Sequence, residues 1–322
     1  MSQDEKAPDN RVTDMLRWQF GHDICILFED DTVIEIMLNP DGKLWVERLG
    51  KEMEEAGTMS PSQAESLMGT LASLQKNVLT EKNPSISCEL PKEFSGARFQ
   101  GNIPPVVEGP SFNIRKKAIA VFTLQEYVGS GIMTQRQREV IEEAVRNKRN
   151  ILIAGGTGSG KTTLTNAVIK YVSDACPQDR LIILEDTREL QCTAKNYVKL
   201  LVTPDRSMAA LLQETLRKRP DRILVGEVRN GAALDLLMAW NTGHPGGVCT
   251  GHANSAYDSL IRLEQLVAMV SPGPMQATIG SAVNLIVYIE KCAGSRKVTE
   301  ILQVDGHDGQ RYITKSTGEK NV

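Results

Sequence analysis

The stretch Ile151–Thr163 reads ILIAGGTGSGKTT and is the part of the sequence that says most about the fold. A run of four apolar residues, 151–154, leads into a glycine-rich loop that ends in Lys161-Thr162. The spacing G-x-x-x-x-G-K-T is typical of a P-loop, in which a strand, a tight turn and a helix N-terminus direct backbone N–H groups at a phosphate. Glycine is needed there because a Cβ would block the close approach of the phosphate. The pattern therefore predicts a nucleotide-binding protein.

The same pattern assigns roles to single residues. We expect Lys161 to reach the β- and γ-phosphates of ATP, and the Thr162 hydroxyl to ligate Mg²⁺. A glycine-rich turn without a ligand is the alternative, and it is disfavoured because the residues after Thr163 continue as a helix. The residues expected to contact the nucleotide are Gly155, Gly156, Thr157, Gly158, Ser159, Gly160, Lys161, Thr162 and Thr163.

The composition limits the class of protein. With 322 residues, of which 41% are hydrophobic, the chain is long enough for two domains with cores of their own. The formal net charge of −3 lacks the basic excess of proteins that grip nucleic acid through its phosphates, so the sequence does not support DNA binding. The six cysteines show no C-x-x-C spacing, which argues against a zinc or redox motif.

The sequence also bears on location. No apolar run reaches the 18 residues expected of a membrane-spanning helix, and the polar, acidic N-terminus is unlike a signal peptide. We therefore expect a cytoplasmic protein whose contact with a membrane is peripheral.

The first third of the chain predicts a small α+β domain. Residues 1–12 are charged and predicted to be disordered, and the domain is predicted to span residues 13–120. The turn sequence Asn39-Pro40-Asp41-Gly42 between two apolar stretches predicts a hairpin. Ser60, followed by Pro61 and a helical apolar stripe, predicts a helix start.

The rest of the chain predicts an α/β domain. Residues 121–134 are predicted to be a linker, and Thr134 opens a helix with a capping box. Short apolar strands alternate with helices through residues 135–300, which predicts a P-loop domain with a mainly parallel sheet covered on both faces. Residues 301–322 are polar and are predicted to be a tail.

Two further apolar strands end in acidic residues. The strand at 181–184 leads into Glu185, and the strand at 223–225 leads into Gly226-Glu227. Ligands of open α/β sheets bind at the carboxyl ends of the strands, where acids hold Mg²⁺ and orient the attacking water. We assign Glu227 to Mg²⁺ by way of a bound water, and Glu185 to the attacking water. The alternative is that both acids simply face solvent.

Two histidines follow in glycine-rich segments near the strand expected around Val248. His252 lies between small residues after that strand, which places it well to sense a γ-phosphate. His244 is as readily explained as a packed or surface residue.

Four segments together resemble the secretion and conjugation traffic ATPases, and most of all their TrbB-like conjugal transfer branch within type IV secretion. In chain order they match that family's Walker A motif, acidic box, atypical Walker B motif and His box. The stretch EIMLNPDGKLWVE (35–47) resembles the family's N-terminal domain. The four segments are GGTGSGKTT (155–163), IILEDTREL (182–190), LRKRPDRILVGEVR (216–229) and NTGHPGGVCTGHANSA (241–256).

The resemblance implies an ATPase with a RecA-like C-terminal domain, assembled as a homohexameric ring. The ring would dock on inner-membrane components of a secretion apparatus at its cytoplasmic face and would power conjugative pilus assembly or substrate transfer. In the family, arginines of the N-terminal domain contact the phosphates of a nucleotide held between the domains, and the candidates here are Arg98 and Arg115. A nucleotide-gated assembly scaffold with negligible turnover and a DNA-acting ATPase are the alternatives.

Overall fold

The computed structural model of the protein describes residues 10–48, 51–117, 121–203, 205–292 and 295–317. The chain divides into two compact units, Met1–Ile119 and Ala120–Val322. Throughout the described ranges, no helix is both long enough and apolar enough to cross a membrane.

The first unit is a six-stranded antiparallel sheet with two helices packed on one face. The strand order is β3-β2-β1-β6-β5-β4. A short 3-10 turn at Lys92–Phe94 precedes β5. The elements are α1 (Asn10–Glu29), β1 (Val33–Leu38), β2 (Lys43–Arg48), β3 (Glu54–Thr58), α2 (Pro61–Leu74), β4 (Ser85–Glu89), β5 (Arg98–Asn102) and β6 (Ser111–Arg115).

Local signals of the sequence account for two of these features. The hairpin between β1 and β2 is confirmed, since Asn39 N donates to Lys43 O at 3.0 Å across the turn and Gly42 has a left-handed φ of 82°. The predicted start of α2 is also confirmed, because the Ser60 hydroxyl accepts a hydrogen bond from Gln63 N.

The N-terminal boundary of this unit differs from the prediction. Residues 10–12, predicted to be disordered, form the first turn of α1, while residues 1–9 lie outside the described residues. The reason is that Leu16 and Phe20 form an apolar stripe one helical turn apart that is buried in the core of this unit. The helical backbone is interrupted after them at Gly21, which has φ 78° and ψ 171°. Packing of that stripe stabilises a helix that extends upstream into polar sequence.

The second unit is an eight-stranded sheet with helices on both faces. Its strand order is β14-β13-β12-β7-β11-β10-β8-β9; the six strands from β12 to β9 are parallel and the two at the other edge are antiparallel. The elements are α3 (Leu124–Gly129), α4 (Gln135–Arg146), β7 (Ile151–Ala154), α5 (Lys161–Ala175), β8 (Leu181–Glu185), β9 (Tyr197–Leu201), α6 (Met208–Thr215), β10 (Arg222–Val225), α7 (Ala232–Asn241), β11 (Val248–Gly251), α8 (Asp258–Ala268), α9 (Gln276–Ala282), β12 (Leu285–Cys292), β13 (Ser295–His307) and β14 (Tyr312–Ser316).

Strand β7 shows how this sheet is buried. Ile151 and Ile153 pack in the core formed with α4 and α5, whereas Leu152 and Ala154 pack in the core formed with α7 and α8. All four residues are buried, as expected for a central parallel strand covered on both faces. The mainly parallel α/β arrangement predicted from the alternating pattern is the one observed.

The segment predicted to be a linker, 121–134, contains a helix that belongs to the second unit. Thr123 and Glu126 form a capping box at the start of α3, and Tyr127 is buried in the same core as α4 and α5. The linker prediction was wrong because α3 is only one and a half turns long, which is too short to show a helical period in the sequence. Packing against the second unit, rather than local helix propensity, stabilises a helix of this length.

The predicted polar tail, 301–322, is mostly sheet. Residues 301–307 continue β13, which pairs with β12, and residues 312–316 form β14, while 318–322 lie outside the described residues. The tail prediction was wrong because few residues of these strands are fully buried, so their composition is as polar as that of a tail. Ile301 is buried in the core that contains α4 and α5, and Val304 is buried in the core that contains α7 and α8, while most residues next to them in β13 are only partly buried.

A buried arginine joins three segments at the amino end of β10. Arg222 is 1% exposed; its Nε donates to Asp179 at 2.7 Å, and its Nη atoms donate to Gly246 O at 3.1 Å and Val145 O at 3.0 Å. Burial alone would raise the pKa of Asp179, but hydrogen bonds from Arg222 and Lys148 outweigh it and lower that pKa. The ion pair is therefore formed at neutral pH.

We expect Arg222→Ala to lower the free energy of unfolding by about 3 kcal/mol, measured by urea denaturation. Removing one partner leaves the Asp179 carboxylate largely buried without its main counter-charge. Arg311→Ala is the control, because Arg311 is 82% exposed and its ion pair with Asp308 should contribute less than about 0.5 kcal/mol. Equal losses in the two variants would contradict the structural role of Arg222.

Candidate active site

The P-loop joins β7 to α5 at the carboxyl end of the parallel strands. Gly158 and Gly160 have left-handed φ values of 69° and 96°, which favour glycine. A Cβ on Gly155 would collide with the carbonyl oxygen of Ile289 on β12. Backbone conformation and close packing, and not only the phosphate, therefore require glycine at these three positions.

The loop presents polar groups that a phosphate would satisfy. Within the described ranges, the Ser159 hydroxyl is buried without a hydrogen-bond partner, and the N–H groups of Gly158 and Gly160 donate to no acceptor. Buried polar groups in proteins are normally paired. A set of unpaired donors beside the N-terminus of α5 fits an anionic ligand such as the phosphate chain of a nucleotide.

Lys161 is held over this loop. The side chain is 9% exposed, and its Nζ donates to the carbonyl oxygens of Gly155 at 3.0 Å and Gly156 at 2.7 Å. Nζ also lies 3.4 Å from His252 Nδ1. The ammonium group predicted to bind phosphates is thus already positioned at the loop by backbone carbonyls.

Thr162 contacts a carboxylate that the sequence analysis did not assign. Its hydroxyl donates to Glu189 Oε2 at 3.2 Å, and Glu189 lies on the segment that follows β8. A hydroxyl and a carboxylate are hard oxygen ligands of the kind Mg²⁺ binds together with substrate phosphates. The signal that could have indicated Glu189 is the third acidic residue of IILEDTREL, four positions after Glu185.

Glu185 lies beneath that segment. It is 2% exposed, and its Oε1 accepts hydrogen bonds from Glu189 N at 2.7 Å and Leu190 N at 2.5 Å. Burial raises the pKa of Glu185, and the two backbone hydrogen bonds offset only part of that rise. The carboxylate therefore anchors the segment that brings Glu189 to Thr162.

Glu227 joins a chain of charged groups rather than Thr162. Its Oε1 lies 3.2 Å from His252 Nε2, and its Oε2 accepts from Arg229 at 2.6 Å. Arg229 in turn pairs with Asp186 at 3.0 Å. Together with the Lys161–His252 contact, these pairs connect the P-loop to the ends of β8, β10 and β11.

The protonation of His252 follows from its two neighbours. The Lys161 ammonium can only donate, so Nδ1 accepts and the ring proton is assigned to Nε2, facing Glu227. Burial lowers the pKa of His252 and the charge of Lys161 lowers it further, while Glu227 opposes both. The imidazole is therefore neutral at pH 7 and bridges a cation and an anion.

The two predicted arginines lie side by side in the first unit. Arg115 on β6 is directly opposite Arg98 on β5 and, on its other side, opposite Glu35 on β1. Glu35 Oε1 accepts from Arg115 Nε at 2.6 Å. Glu35 therefore binds the guanidinium of Arg115 at its Nε edge.

Comparison with known proteins agrees with these features. A family model described as type II/IV secretion system protein matches residues 24–320. The chain belongs to this family. It is 49% identical over 305 residues to the conjugal transfer protein TrbB of Rhizobium radiobacter, covering 95% of this chain and 94% of that protein. The resemblance to TrbB-like secretion ATPases is thereby confirmed.

More distant members of the secretion family show the same relationship. The type IV secretion system protein VirB11 of Bartonella quintana is 31% identical over 326 residues, covering 86% of this chain and 90% of that protein. The solved structure of the Yersinia pseudotuberculosis ATPase DotB has a TM-score of 0.64 at 20% identity, covering 88% of this chain and 80% of that one. The second comparison shows likeness of fold.

The His252 bridge predicts a change in titration. Lys161→Ala should raise the pKa of His252, because a neighbouring positive charge and part of the burial are removed. The pKa can be measured by NMR of ¹³C-labelled histidine, with His252→Gln used to assign the signal. Lys170→Ala, which alters a lysine in the last turns of α5, is the control and should leave the titration unchanged.

The direction of the pH effect follows from the lowered pKa. The neutral ring stabilises the fold at pH values above the ordinary histidine pKa, and this contribution is lost as the pH falls through the lowered pKa. A His252 pKa that stays the same or falls in Lys161→Ala would contradict the assigned contact.

Proposed function

We propose that the protein is an ATP-hydrolysing motor of a type IV secretion or conjugation system. The observation that carries the proposal is the P-loop arrangement in which Lys161 is paired with His252 and Thr162 with Glu189. A positioned cation beside the loop, a hydroxyl–carboxylate pair and buried acids at the strand ends are the parts that phosphoryl transfer to water needs. The relationship to TrbB and VirB11 supports the biological setting.

In this proposal the loop amides, Ser159 and Lys161 bind the phosphate chain. Thr162 and Glu189 would hold Mg²⁺, with Glu227 acting on it by way of a water. The ion would neutralise charge that develops on the phosphates during transfer. Within the described residues there is no group of three or more His, Cys, Asp or Glu side chains that could hold a metal ion without the substrate. A Mg²⁺ site completed by substrate oxygens does not require such a group.

Glu185 is proposed to orient the attacking water. A buried carboxylate with a raised pKa suits a general base, since its proton affinity lies closer to the working pH. Arg98 and Arg115 are proposed to act on the phosphates, where a planar guanidinium stabilises spread negative charge.

His252 is proposed to report the state of the γ-phosphate. If Lys161 leaves the carbonyls of Gly155 and Gly156 to bind phosphate, its contact with His252 Nδ1 changes. The His252–Glu227–Arg229 contacts can then rearrange with it. ATP and ADP would each favour a different arrangement of these contacts. Exchange of one nucleotide for the other would therefore shift the populations of two conformations of the protein.

The motor is proposed to act as a homohexamer in the cytoplasm, at the periphery of the inner membrane. Its partners would be inner-membrane components of the secretion apparatus, and its work conjugative pilus assembly or substrate transfer. DNA binding is not included, because the net charge of −3 provides no general attraction to phosphates.

The function is tested by Mg²⁺-dependent ATP turnover measured against protein concentration. We expect specific activity to rise with concentration, as it does when activity needs assembly, and to vanish in Lys161→Ala. Arg115→Ala in the same assay should bind ATP and turn it over at least tenfold more slowly. Arg311→Ala, which alters an exposed surface residue, should match the wild type.

The outcomes separate the motor from its alternative. ATP binding without turnover at any concentration would favour a nucleotide-gated scaffold and contradict the motor. Normal turnover in Arg115→Ala would show that the assignment of this arginine is wrong while leaving the motor in place.

The role of Glu185 is tested by comparing two substitutions. Glu185→Gln keeps an oxygen that accepts from Glu189 N and Leu190 N but cannot take a proton, so it should bind ATP and lose turnover by about 100-fold or more. Glu185→Ala should lose turnover as well and also release the segment that carries Glu189. Normal turnover in Glu185→Gln together with loss in Glu185→Ala would reduce Glu185 to an anchor.

A further inference from the structure

The hairpin formed by β12 and β13 extends beyond the P-loop. Ladder pairing of β12 with β7 ends at Tyr288 and Ala154, and β12 then continues for four residues to Cys292. Ile289 at the start of this extension packs against Gly155. The returning strand therefore begins beside the P-loop, although no sequence motif marks it.

Arg296, the second residue of β13, lies along the loop. Its Nε donates to Gly158 O at 3.3 Å. A Cβ on Gly160 would lie 2.9 Å from Arg296 Cδ and 3.4 Å from Nε. The stem of the side chain thus crosses the two glycines with left-handed backbone, and the guanidinium lies at the loop surface.

The guanidinium is only partly satisfied there. In the described part of the chain its Nε makes the one hydrogen bond to Gly158 O, no carboxylate pairs with it, and its Nη atoms have no acceptor. The Nη groups of Arg296 are therefore available to an anion at the loop surface.

Arginine is well suited to such an anion. Its fork presents paired N–H donors that match the geometry of phosphate oxygens, and such charge-assisted bonds are stronger than neutral ones. The unpaired N–H groups of Gly158 and Gly160 lie on the same loop. The charge, the donor geometry and the position of Arg296 thus all favour a phosphate ligand.

We propose that Arg296 is a further nucleotide-binding residue whose guanidinium contacts the phosphate chain of the bound nucleotide. The proposal rests on the proposed function, because it requires a nucleotide at the P-loop. It extends the site beyond the four motifs, to a residue of the β12–β13 hairpin that lies 135 positions after Lys161.

The test is calorimetric titration of the full-length protein with ADP, and with pyrophosphate as a probe that lacks the base and sugar. Arg296→Gln should weaken binding of both by about tenfold or more, since a charge-assisted bond is lost. Arg296→Lys should recover part of the affinity, because it keeps the charge without the fork. Lys297→Gln is the matched control, as the neighbouring side chain of a strand points to the opposite face, and it should bind as the wild type does.

A purely structural role would give a different pattern. If Arg296 only latches the hairpin to Gly158 O, Arg296→Gln and Arg296→Lys should lower the thermal midpoint of the nucleotide-free protein alike, with no recovery of affinity by lysine. That pattern, or ADP and pyrophosphate affinities within twofold of the wild type in Arg296→Gln, would overturn the proposal.

Failure of the proposed function can be distinguished from failure of the Arg296 proposal. If the wild-type protein binds neither ADP nor pyrophosphate, the proposed function fails and the role of Arg296 fails with it. If it binds both but does not hydrolyse ATP, only the motor fails, and the comparison of the Arg296 variants still decides the role of this residue.

Discussion

Close packing of the P-loop on the end of β12 is the constraint on which the site depends. Gly155 touches the backbone of Ile289 so closely that no side chain fits, and this contact holds the loop against the β12–β13 hairpin. The loop carbonyls then hold Lys161, and the loop end aligns the first turn of α5, where Thr162 meets Glu189. Preorganisation of this kind lets a site bind phosphate without first ordering its own backbone.

A second consequence of the sheet is the chain of contacts from Lys161 to Asp186. The strands that supply these residues end at the same edge, so charges far apart in sequence alternate in sign along a continuous path. A neutral imidazole sits between the ammonium of Lys161 and the carboxylate of Glu227. The lone pair on His252 Nδ1 faces Lys161 and the proton on Nε2 faces Glu227, so both contacts depend on the position and protonation of one ring.

The errors of prediction have a common physical cause. The central strands were predicted from short, fully apolar runs between helices, since strands buried on both faces are apolar throughout. The same pattern missed α3 and most of β13 and β14, because a very short helix and strands with few fully buried residues carry too little periodic signal. Glu189 was missed because its contact with Thr162 depends on the backbone turn that Glu185 anchors, and the sequence does not show that turn. Arg296 was missed because it belongs to no motif.

Patterns in the sequence were enough to predict the P-loop, the order of the α/β elements, the hairpin at 39–42 and the family. These features depend on the spacing of residue types along short segments, which can be read directly from the sequence. Three-dimensional contacts were needed to show that Glu185 is buried under a backbone turn, that Glu227 pairs with His252 and Arg229, and that the β12–β13 hairpin brings Arg296 to the P-loop. Such partnerships arise from strand order and register, which place residues more than 100 positions apart within hydrogen-bond distance, and no local pattern encodes them.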